Sequence, residues 1–153
     1  MASKKGNSPK VGKAGRKKSL GPEAEMQIDF INWYKRTYPN REIMHISNHA
    51  TTVAQRKIFV AMGMTPGASD VWIDEPSSGY RALYMELKSE MNYKKKGQGL
   101  RQNQIDFLKH KARKGNLCFV SWNLFSCKAI VMNYYKGSLE NLNNNNFKLK
   151  QVT

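Results

Sequence analysis

Residues 63–88 constrain the possible folds of this chain more than any other stretch. A loop rich in glycine and proline covers residues 63–69 and delivers Asp70 to the start of an apolar run at 71–73. A Glu-Pro-Ser-Ser-Gly turn follows, and the returning run at residues 80–88 carries Glu-x-Lys near its end. Two such runs, bounded by turn-forming residues, predict a β-hairpin. The chain should therefore contain a sheet in which these two strands are antiparallel neighbours.

The hairpin brings charged side chains together. Successive side chains of a strand point to opposite faces, so Glu86 and Lys88 share one face and the leucines and methionine between them share the other. Antiparallel neighbours lie ~4.5–5.5 Å apart, so Asp70 can lie beside Glu86. Two carboxylates and an ammonium on adjoining strands suit the binding of a divalent metal against a phosphate.

Four short sequence words resemble a known family. They are Gly-Met-Thr-Pro-Gly-Ala-Ser-Asp at 63–70, Met-Glu-Leu-Lys at 85–88, Leu-Arg-Gln-Asn-Gln at 100–104, and Gly115. An aspartate, a strand, a turn and then Glu-x-Lys is the signature of the PD-(D/E)XK nuclease superfamily, and the four words together resemble its VRR-NUC domain, the virus-type replication-repair nuclease module. The resemblance runs over residues 23–135. It implies an α/β fold with a restriction-endonuclease-like core, in which a central mixed β-sheet is flanked by α-helices.

The resemblance and the hairpin geometry together suggest roles for the charged residues. Asp70 and Glu86 are expected to be metal ligands, with the main-chain carbonyl of Leu87 as a third oxygen. Lys88 would orient or help to deprotonate the attacking water and would offset phosphate charge. Oxygen ligands favour Mg²⁺ or Mn²⁺ over zinc. The expected activity is metal-dependent hydrolysis of phosphodiester bonds in DNA.

A glutamate on the first helix is a further metal-ligand candidate. Pro22 is tolerated in the first turn, so a helix is predicted from there to about residue 36. At ~100° per residue, Glu23 falls among the apolar side chains, whereas Glu25 falls on the opposite arc. A buried acid is costly unless it is paired or binds a metal, so Glu23 is expected to complete the metal shell directly or through water. In the family, the corresponding glutamate also stands four residues before a glutamine, as Glu23 does before Gln27. Alternatively, Glu23 only complements the helix dipole.

A glutamine on a later helix is the fifth candidate catalytic residue. The pattern predicts this helix over residues 101–114, with Gly115 as its C-terminal cap. Gln104 lies on the apolar stripe of the helix, where an amide needs a hydrogen-bonding partner. In the family, the matching glutamine closes the active site, so Gln104 is expected to position Lys88 or the water. A glutamine satisfied within the core is the alternative.

The remaining elements are less distinctive. Residues 42–50 predict a short strand that ends near Asn48, which resembles an asparagine that follows this strand in the family. Residues 51–62 predict a short helix, and residues 117–122 predict a buried strand. Residues 125–135 form a closing element, either strand or helix.

The charge of the chain indicates a polyanionic partner. It carries 26 Lys and Arg against 11 Asp and Glu, a formal net charge of +15. The first 18 residues contain seven Lys or Arg and no acidic or aromatic residue, which is typical of a disordered basic arm. Five further basic residues are candidate phosphate contacts because lysine and arginine supply affinity that is independent of sequence: Arg56, Lys57, Lys94, Lys95 and Lys96. Simple solvation of charged surface is the alternative for all of them.

These observations predict three regions. Residues 1–20 form the basic arm, 21–136 the VRR-NUC nuclease domain, and 137–153 an Asn-rich tail that should be frayed. The only two cysteines, Cys118 and Cys127, make neither a disulfide framework nor a four-ligand zinc site, which fits a cytoplasmic setting. No apolar run is long enough to span a membrane. The resemblance suggests a protein encoded by a phage or prophage and located in the bacterial host cell.

The resemblance also suggests a substrate. Stand-alone members of the family resemble Holliday-junction resolvases, so a homodimer that acts on branched or four-way-junction DNA is expected; a junction offers two equivalent cleavage points, and a twofold dimer matches them. Three alternatives remain: a nuclease of the same fold that cuts flap or duplex DNA, a non-catalytic basic DNA-binding protein, and a ribosome-like RNA-binding protein. The last leaves Asp70 and Glu86 unexplained.

Overall fold

The computed structural model of the protein describes residues 20–47 and 50–153. In this part of the chain a five-stranded sheet has the order β1-β2-β3-β4-β5, where only β3 and β4 are parallel and the other neighbours are antiparallel. The strands are β1 (Met44–His45), β2 (Val71–Ile73), β3 (Leu83–Leu87), β4 (Leu117–Ser121) and β5 (Leu149–Gln151). The helices are α1 (Pro22–Thr37), α2 (Val53–Ala61), α3 (Gln102–Arg113) and α4 (Leu124–Lys136).

Helices cover both faces of the sheet. On one face, α1 and α4 pack against side chains such as Val71, Met85 and Phe119. On the other face, Leu108 of α3 packs with Tyr84. Every residue of β3 and β4 is buried, as expected for strands covered on both sides. The predicted α/β class with a central mixed sheet and flanking helices is confirmed.

Most of the expected elements occur close to their predicted bounds. The closing element after β4 is a helix, α4, which begins at a side-chain cap where Asn123 accepts a hydrogen bond from the Ser126 N–H at 2.9 Å. The expected strand at 42–50 is reduced to the two residues of β1. Asn48, and all but the last residue of the expected basic arm, lie outside the described residues. None of the helices in the described ranges is long and apolar enough to cross a membrane.

The C-terminal segment differs from the expectation of a frayed tail. A 3-10 turn covers Leu139–Leu142, and β5 then pairs antiparallel with β4. Leu142 is buried, and Phe147 and Leu149 pack against the core. The expectation was wrong because the Asn-rich composition concealed a few apolar residues, whose burial and ladder hydrogen bonds order the segment.

Candidate active site

The hairpin places Asp70 beside the C-terminal end of β3, the central strand of the sheet. Val71 pairs with Met85 across the β2–β3 ladder, so Asp70 comes opposite Glu86 in the register, as the sequence predicts. One oxygen of the Asp70 carboxylate, Oδ2, accepts a hydrogen bond from the Leu87 main-chain N–H at 2.7 Å. This bond fixes the carboxylate against the neighbouring strand.

A glycine allows the loop before Asp70 to approach α3. Gly67 has a φ of +85°, and a Cβ built on it would lie 2.5 Å from the main-chain oxygen of Asn103. Only glycine accepts both this backbone conformation and this close contact without strain. The glycine therefore helps to bring the loop that carries Asp70 against the start of α3, where Gln104 lies.

Glu86, Lys88 and Gln104 form one hydrogen-bonded cluster. The Lys88 ammonium lies 2.9 Å from Oε1 of Glu86, and the Gln104 amide Nε2 donates to the same oxygen. All three side chains are buried. The second carboxylate oxygen, Oε2 of Glu86, has no hydrogen-bond partner among the described residues. A buried acceptor without a partner is costly, so binding of a cation or a hydrogen-bond donor to this oxygen would be favourable.

Burial and like charge raise the pKa values of the two carboxylates. Burial is the main cause that raises the pKa of Glu86, to about 7, and the nearby Asp70 charge raises it further. Lys88 and Arg101 act in the opposite direction but do not compensate. Burial also raises the pKa of Asp70, against the Leu87 N–H and the Lys88 charge. The site therefore has more buried negative charge than its own cations neutralise, which is the condition that a divalent cation relieves.

Glu23 lies near the same site, on the first turn of α1. Its Oε1 accepts hydrogen bonds from the Ser89 N–H at 3.0 Å and from the Asn92 amide at 3.4 Å. Glu25 is exposed, as the helical pattern predicts. A cavity of about 490 Å³ is lined by Glu23, Asp70 and Leu87 together, and the charge of Glu23 raises the pKa of Asp70.

The three carboxylates share a neighbourhood but do not form a closed cage. In residues 20–47 and 50–153, no group of three or more His, Cys, Asp or Glu side chains is arranged to hold a metal ion. Mg²⁺ is usually bound through one or two carboxylates, with waters and substrate phosphates completing its shell. Asp70 and Glu86, whose Oε2 has no partner among the described residues, fit that pattern. Glu23, held by Ser89 and Asn92, fits a contact through water.

Gln104 has a different partner from the one expected. It contacts Glu86 rather than Lys88, and its carbonyl oxygen accepts a hydrogen bond from the Arg101 N–H at 3.0 Å. The glutamine thus orients the carboxylate, and it is also satisfied within the start of its own helix. The two interpretations left open by the sequence are therefore compatible.

The predicted DNA-contacting residues are all exposed. Lys94, Lys95 and Lys96 lie in a loop with two short 3-10 turns between β3 and α3, and Arg56 and Lys57 lie on α2. In the described part of the chain none of the five forms an ion pair with an acid. Their contact with DNA stays a prediction.

Three supporting residues were missed by sequence reasoning. Ser89 and Asn92 hold Glu23, and Arg101 acts on Glu86 through its charge. A main-chain donor such as that of Ser89 leaves no trace in a sequence. Asn92 does leave one, because it is a polar residue in the loop that directly follows the Glu-x-Lys word.

Comparison with known proteins supports the fold. Neither a protein-family model nor a curated protein matches the sequence. The solved structure of a VRR_NUC domain protein is similar to this chain, with a TM-score of 0.61 and 24% sequence identity; the match covers 78% of this chain and 91% of that one. At this identity the likeness concerns the fold alone. The chain therefore has a VRR-NUC-like fold, with the Asp70–Glu86–Lys88 cluster at one edge of its mixed sheet.

Proposed function

We propose that this protein is a metal-dependent DNA endonuclease that acts on branched DNA. The observation that carries the proposal is the buried Glu86–Lys88–Gln104 cluster beside Asp70, in which one carboxylate oxygen has no partner among the described residues. A purely structural ion pair would be expected to satisfy both oxygens of its carboxylate. The VRR-NUC-like fold supports the same conclusion.

Asp70 and Glu86 would hold the cation, with the Leu87 carbonyl as a further oxygen and Glu23 through water. When bound, Mg²⁺ or Mn²⁺ supplies neutralisation of phosphate charge and activation of water. The chain's own residues prepare the site for this. The Leu87 N–H fixes Asp70, and Gln104 fixes Glu86.

In this proposal Lys88 would act on the attacking water. Its ammonium is held by Glu86 in the metal-free protein, at 2.9 Å. If Glu86 binds a cation, the ammonium would be free to orient the water and to offset the developing negative charge on phosphate. Gln104 keeps the carboxylate in place while the ammonium changes partner.

Branched DNA is proposed as the substrate, with a four-way junction as the first candidate and a homodimer as the active form. A single module with net charge +15 would bind any DNA backbone, so selectivity would come from geometry rather than charge. Two copies related by a twofold axis could present two sites to opposing strands of a junction. We also propose that the protein is encoded by a phage or prophage and acts in the cytoplasm of a bacterial host.

The test is cleavage of labelled four-way junction, flap, duplex and single-stranded DNA with Mg²⁺, Mn²⁺ or EDTA. Asp70→Asn and Lys88→Met should each reduce cleavage by about 100-fold or more, because each removes several kcal/mol of transition-state stabilisation. DNA binding should change little. Glu25→Gln and Lys109→Met, at exposed positions, are the matched controls.

Cleavage by Asp70→Asn at the wild-type rate would contradict the assignment of the site. DNA binding with no cleavage of any substrate in either metal would instead favour a non-catalytic DNA-binding protein. Cutting of flaps or plain duplex in preference to junctions would support the nuclease assignment but contradict the four-way junction as its substrate. Sedimentation of a monomer on junction DNA would reject the homodimer.

A further inference from the structure

A second cavity lies next to the candidate active site, on the face of the sheet that α3 covers. It has a volume of about 280 Å³. The loop before Asp70 forms one wall, and strand and helix side chains form the others. The lining residues that matter here are Met64, Thr65, Trp72, Tyr84, Phe107 and Lys111. None of them has a role in the mechanism described above.

Three aromatic side chains are among the residues that line this cavity. Trp72 and Tyr84 are stacked, with ring centroids 5.8 Å apart and an interplanar angle of 10°. Phe107 meets Tyr84 edge to face, at 6.0 Å and 70°. Trp72 and Phe107 are only partly buried. Flat aromatic surfaces that remain partly open suit a planar aromatic ligand.

A cation is held at the same wall. The Lys111 ammonium lies 5.0 Å from the centre of the Tyr84 ring and 5.3 Å from that of Phe107, within the range of cation–π attraction. Lys111 forms no ion pair with an acid in the described residues. Its charge is therefore available to a phosphate or to a carbonyl oxygen of a ligand.

One of the lining residues, Trp72, also carries a buried donor without a partner. Nε1 of Trp72 has no hydrogen-bond partner among residues 20–47 and 50–153. An unpaired buried N–H is costly. Because this nitrogen is buried, an acceptor on a ligand could reach it only if the indole moved.

The position of the cavity links it to the carboxylates. Tyr84 precedes Glu86 by two residues on β3, and Trp72 follows Asp70 by two residues, so the aromatic and acidic side chains share one face of the sheet. Two residues of strand span roughly 7 Å. That is about the distance over which a nucleotide base could reach from a phosphate held at the carboxylates.

We propose that this cavity receives the base of an unpaired nucleotide next to the phosphate that is cut. The inference rests on the proposed nuclease function and specifies its substrate. Aromatic walls stack the base, as they do in proteins that bind single strands or extrude a base, and Lys111 contacts its carbonyl or phosphate. A base paired within a duplex cannot enter, so the cavity would favour DNA that carries unpaired nucleotides at a branch.

The test measures binding rather than cleavage. The probe is a fluorescein-labelled forked duplex, and its affinity for the full chain is measured by anisotropy without added metal. In a series of forks, each unpaired nucleotide in turn is replaced by an abasic analogue. At one position near the branch, loss of the base should weaken binding about 5-fold or more, which is the range of aromatic stacking on a single base.

Matched variants assign that effect to the cavity. Lys111→Met should weaken binding of the fork and abolish the difference between the intact and abasic forks. Lys109→Met removes the same charge from an exposed position of the same helix and should keep the difference. Both variants should bind plain duplex alike. Phe107→Leu is a second cavity variant, which is decisive should Lys111→Met fail to fold.

The proposal is wrong if no abasic position changes the affinity of the wild-type chain. It is equally wrong if Lys111→Met or Phe107→Leu, when folded, keeps the full difference. Failure of the nuclease assignment has a separate signature. If binding depends on the base but no DNA is cut in Mg²⁺ or Mn²⁺, the result would support the base-binding cavity and contradict the nuclease function. A protein that cuts forks without sensing the base would contradict the cavity alone.

Discussion

The surroundings of Glu86 only partly compensate for burying its charge. Its side chain is fully buried, Asp70 adds a second negative charge nearby, and one of its oxygens has no partner among the described residues. Burial, and then the Asp70 charge, raise its pKa to about 7, so near neutral pH the group is close to half ionised. A residue of this kind costs stability in the metal-free protein, and a bound cation would recover it.

The stability of the metal-free protein should therefore depend on Glu86 and pH. The pKa of Glu86 is raised on folding, so the folded state binds its proton more tightly than the unfolded state does. The stability associated with protonated Glu86 is fully present below its ordinary pKa of 4.5 and is lost as pH rises through about 7. Glu86→Gln keeps a neutral group at every pH and should remove this loss.

Urea unfolding in EDTA at about pH 5 and about pH 8 checks the effect. The gain in stability of Glu86→Gln relative to wild type should be larger at the higher pH, by on the order of 2 kcal/mol. Glu25→Gln, at an exposed site, should show no such change. A difference between wild type and Glu86→Gln that is constant over this range would contradict the raised pKa.

The elements of this fold position the site through a few close contacts. The loop at residues 63–70 meets the start of α3 at Gly67, and α3 in turn supplies Gln104. At the other side of the sheet, the C-terminal β5 covers the edge of β4. Without it, the last strand of the sheet would expose its hydrogen-bonding groups.

Substitution of Gly67 should be much more harmful than substitution of another glycine in the same loop. Gly63 also has a positive φ, +100°, but a Cβ there meets nothing within 4 Å. Gly63→Ala should therefore cost only about 1–2 kcal/mol of backbone strain. Gly67→Ala adds a clash with the Asn103 main chain and should cost about 1–3 kcal/mol more. Equal losses in urea unfolding would show that the loop does not pack against α3 in this way.

The role of β5 is tested by two adjacent residues. Leu149 packs against the core, whereas Lys150 is exposed. Leu149→Glu should lower the free energy of unfolding by about 2 kcal/mol or more because it places a charge at an apolar contact. Lys150→Glu should change it by less than about 0.5 kcal/mol. If both changes are tolerated in thermal unfolding, the C-terminal segment is not part of the folded sheet in solution.

At the scale of the whole molecule, the proposed function assigns affinity for DNA to the charge and catalysis to the site. The net charge of +15 favours binding to any nucleic acid, whereas the buried cluster at the sheet edge is small and local. The two properties should be separable by substitution. Residues that only contact phosphate should alter affinity and its salt dependence without changing which bond is cut.

A triple substitution of Lys94, Lys95 and Lys96 to serine tests this separation. If all three contact phosphates, the negative slope of log affinity against log salt should become shallower by about 3, at roughly 0.9 for each contact. The cleavage products should be unchanged. The control replaces Lys35, Arg36 and Lys136, which lie at the C-terminal ends of α1 and α4. An equal change of slope in both proteins would mean that the loop lysines are only solvated charge.

The parts of the site that could be predicted are those that depend on neighbours in the chain. A strand turns alternate residues to one face and a short turn sets the register, so Asp70 opposite Glu86 and Lys88 beside Glu86 follow from residues 63–88. Helical periodicity likewise distinguished inward Glu23 and Gln104 from their exposed neighbours. The resemblance to VRR-NUC proteins added the fold class.

Contacts between distant segments were decided only by the tertiary structure. The hydrogen bond of Gln104 to Glu86, the support of Glu23 by the Ser89 N–H and the pairing of β5 with β4 all join parts of the chain that no local pattern relates. The aromatic cavity is of the same kind, because Trp72, Tyr84 and Phe107 come from two strands and a helix. Local sequence determined which way each side chain points, since that depends on the period of its own backbone. Packing of the layers decided what each side chain meets, since that depends on burial of apolar surface over the whole chain.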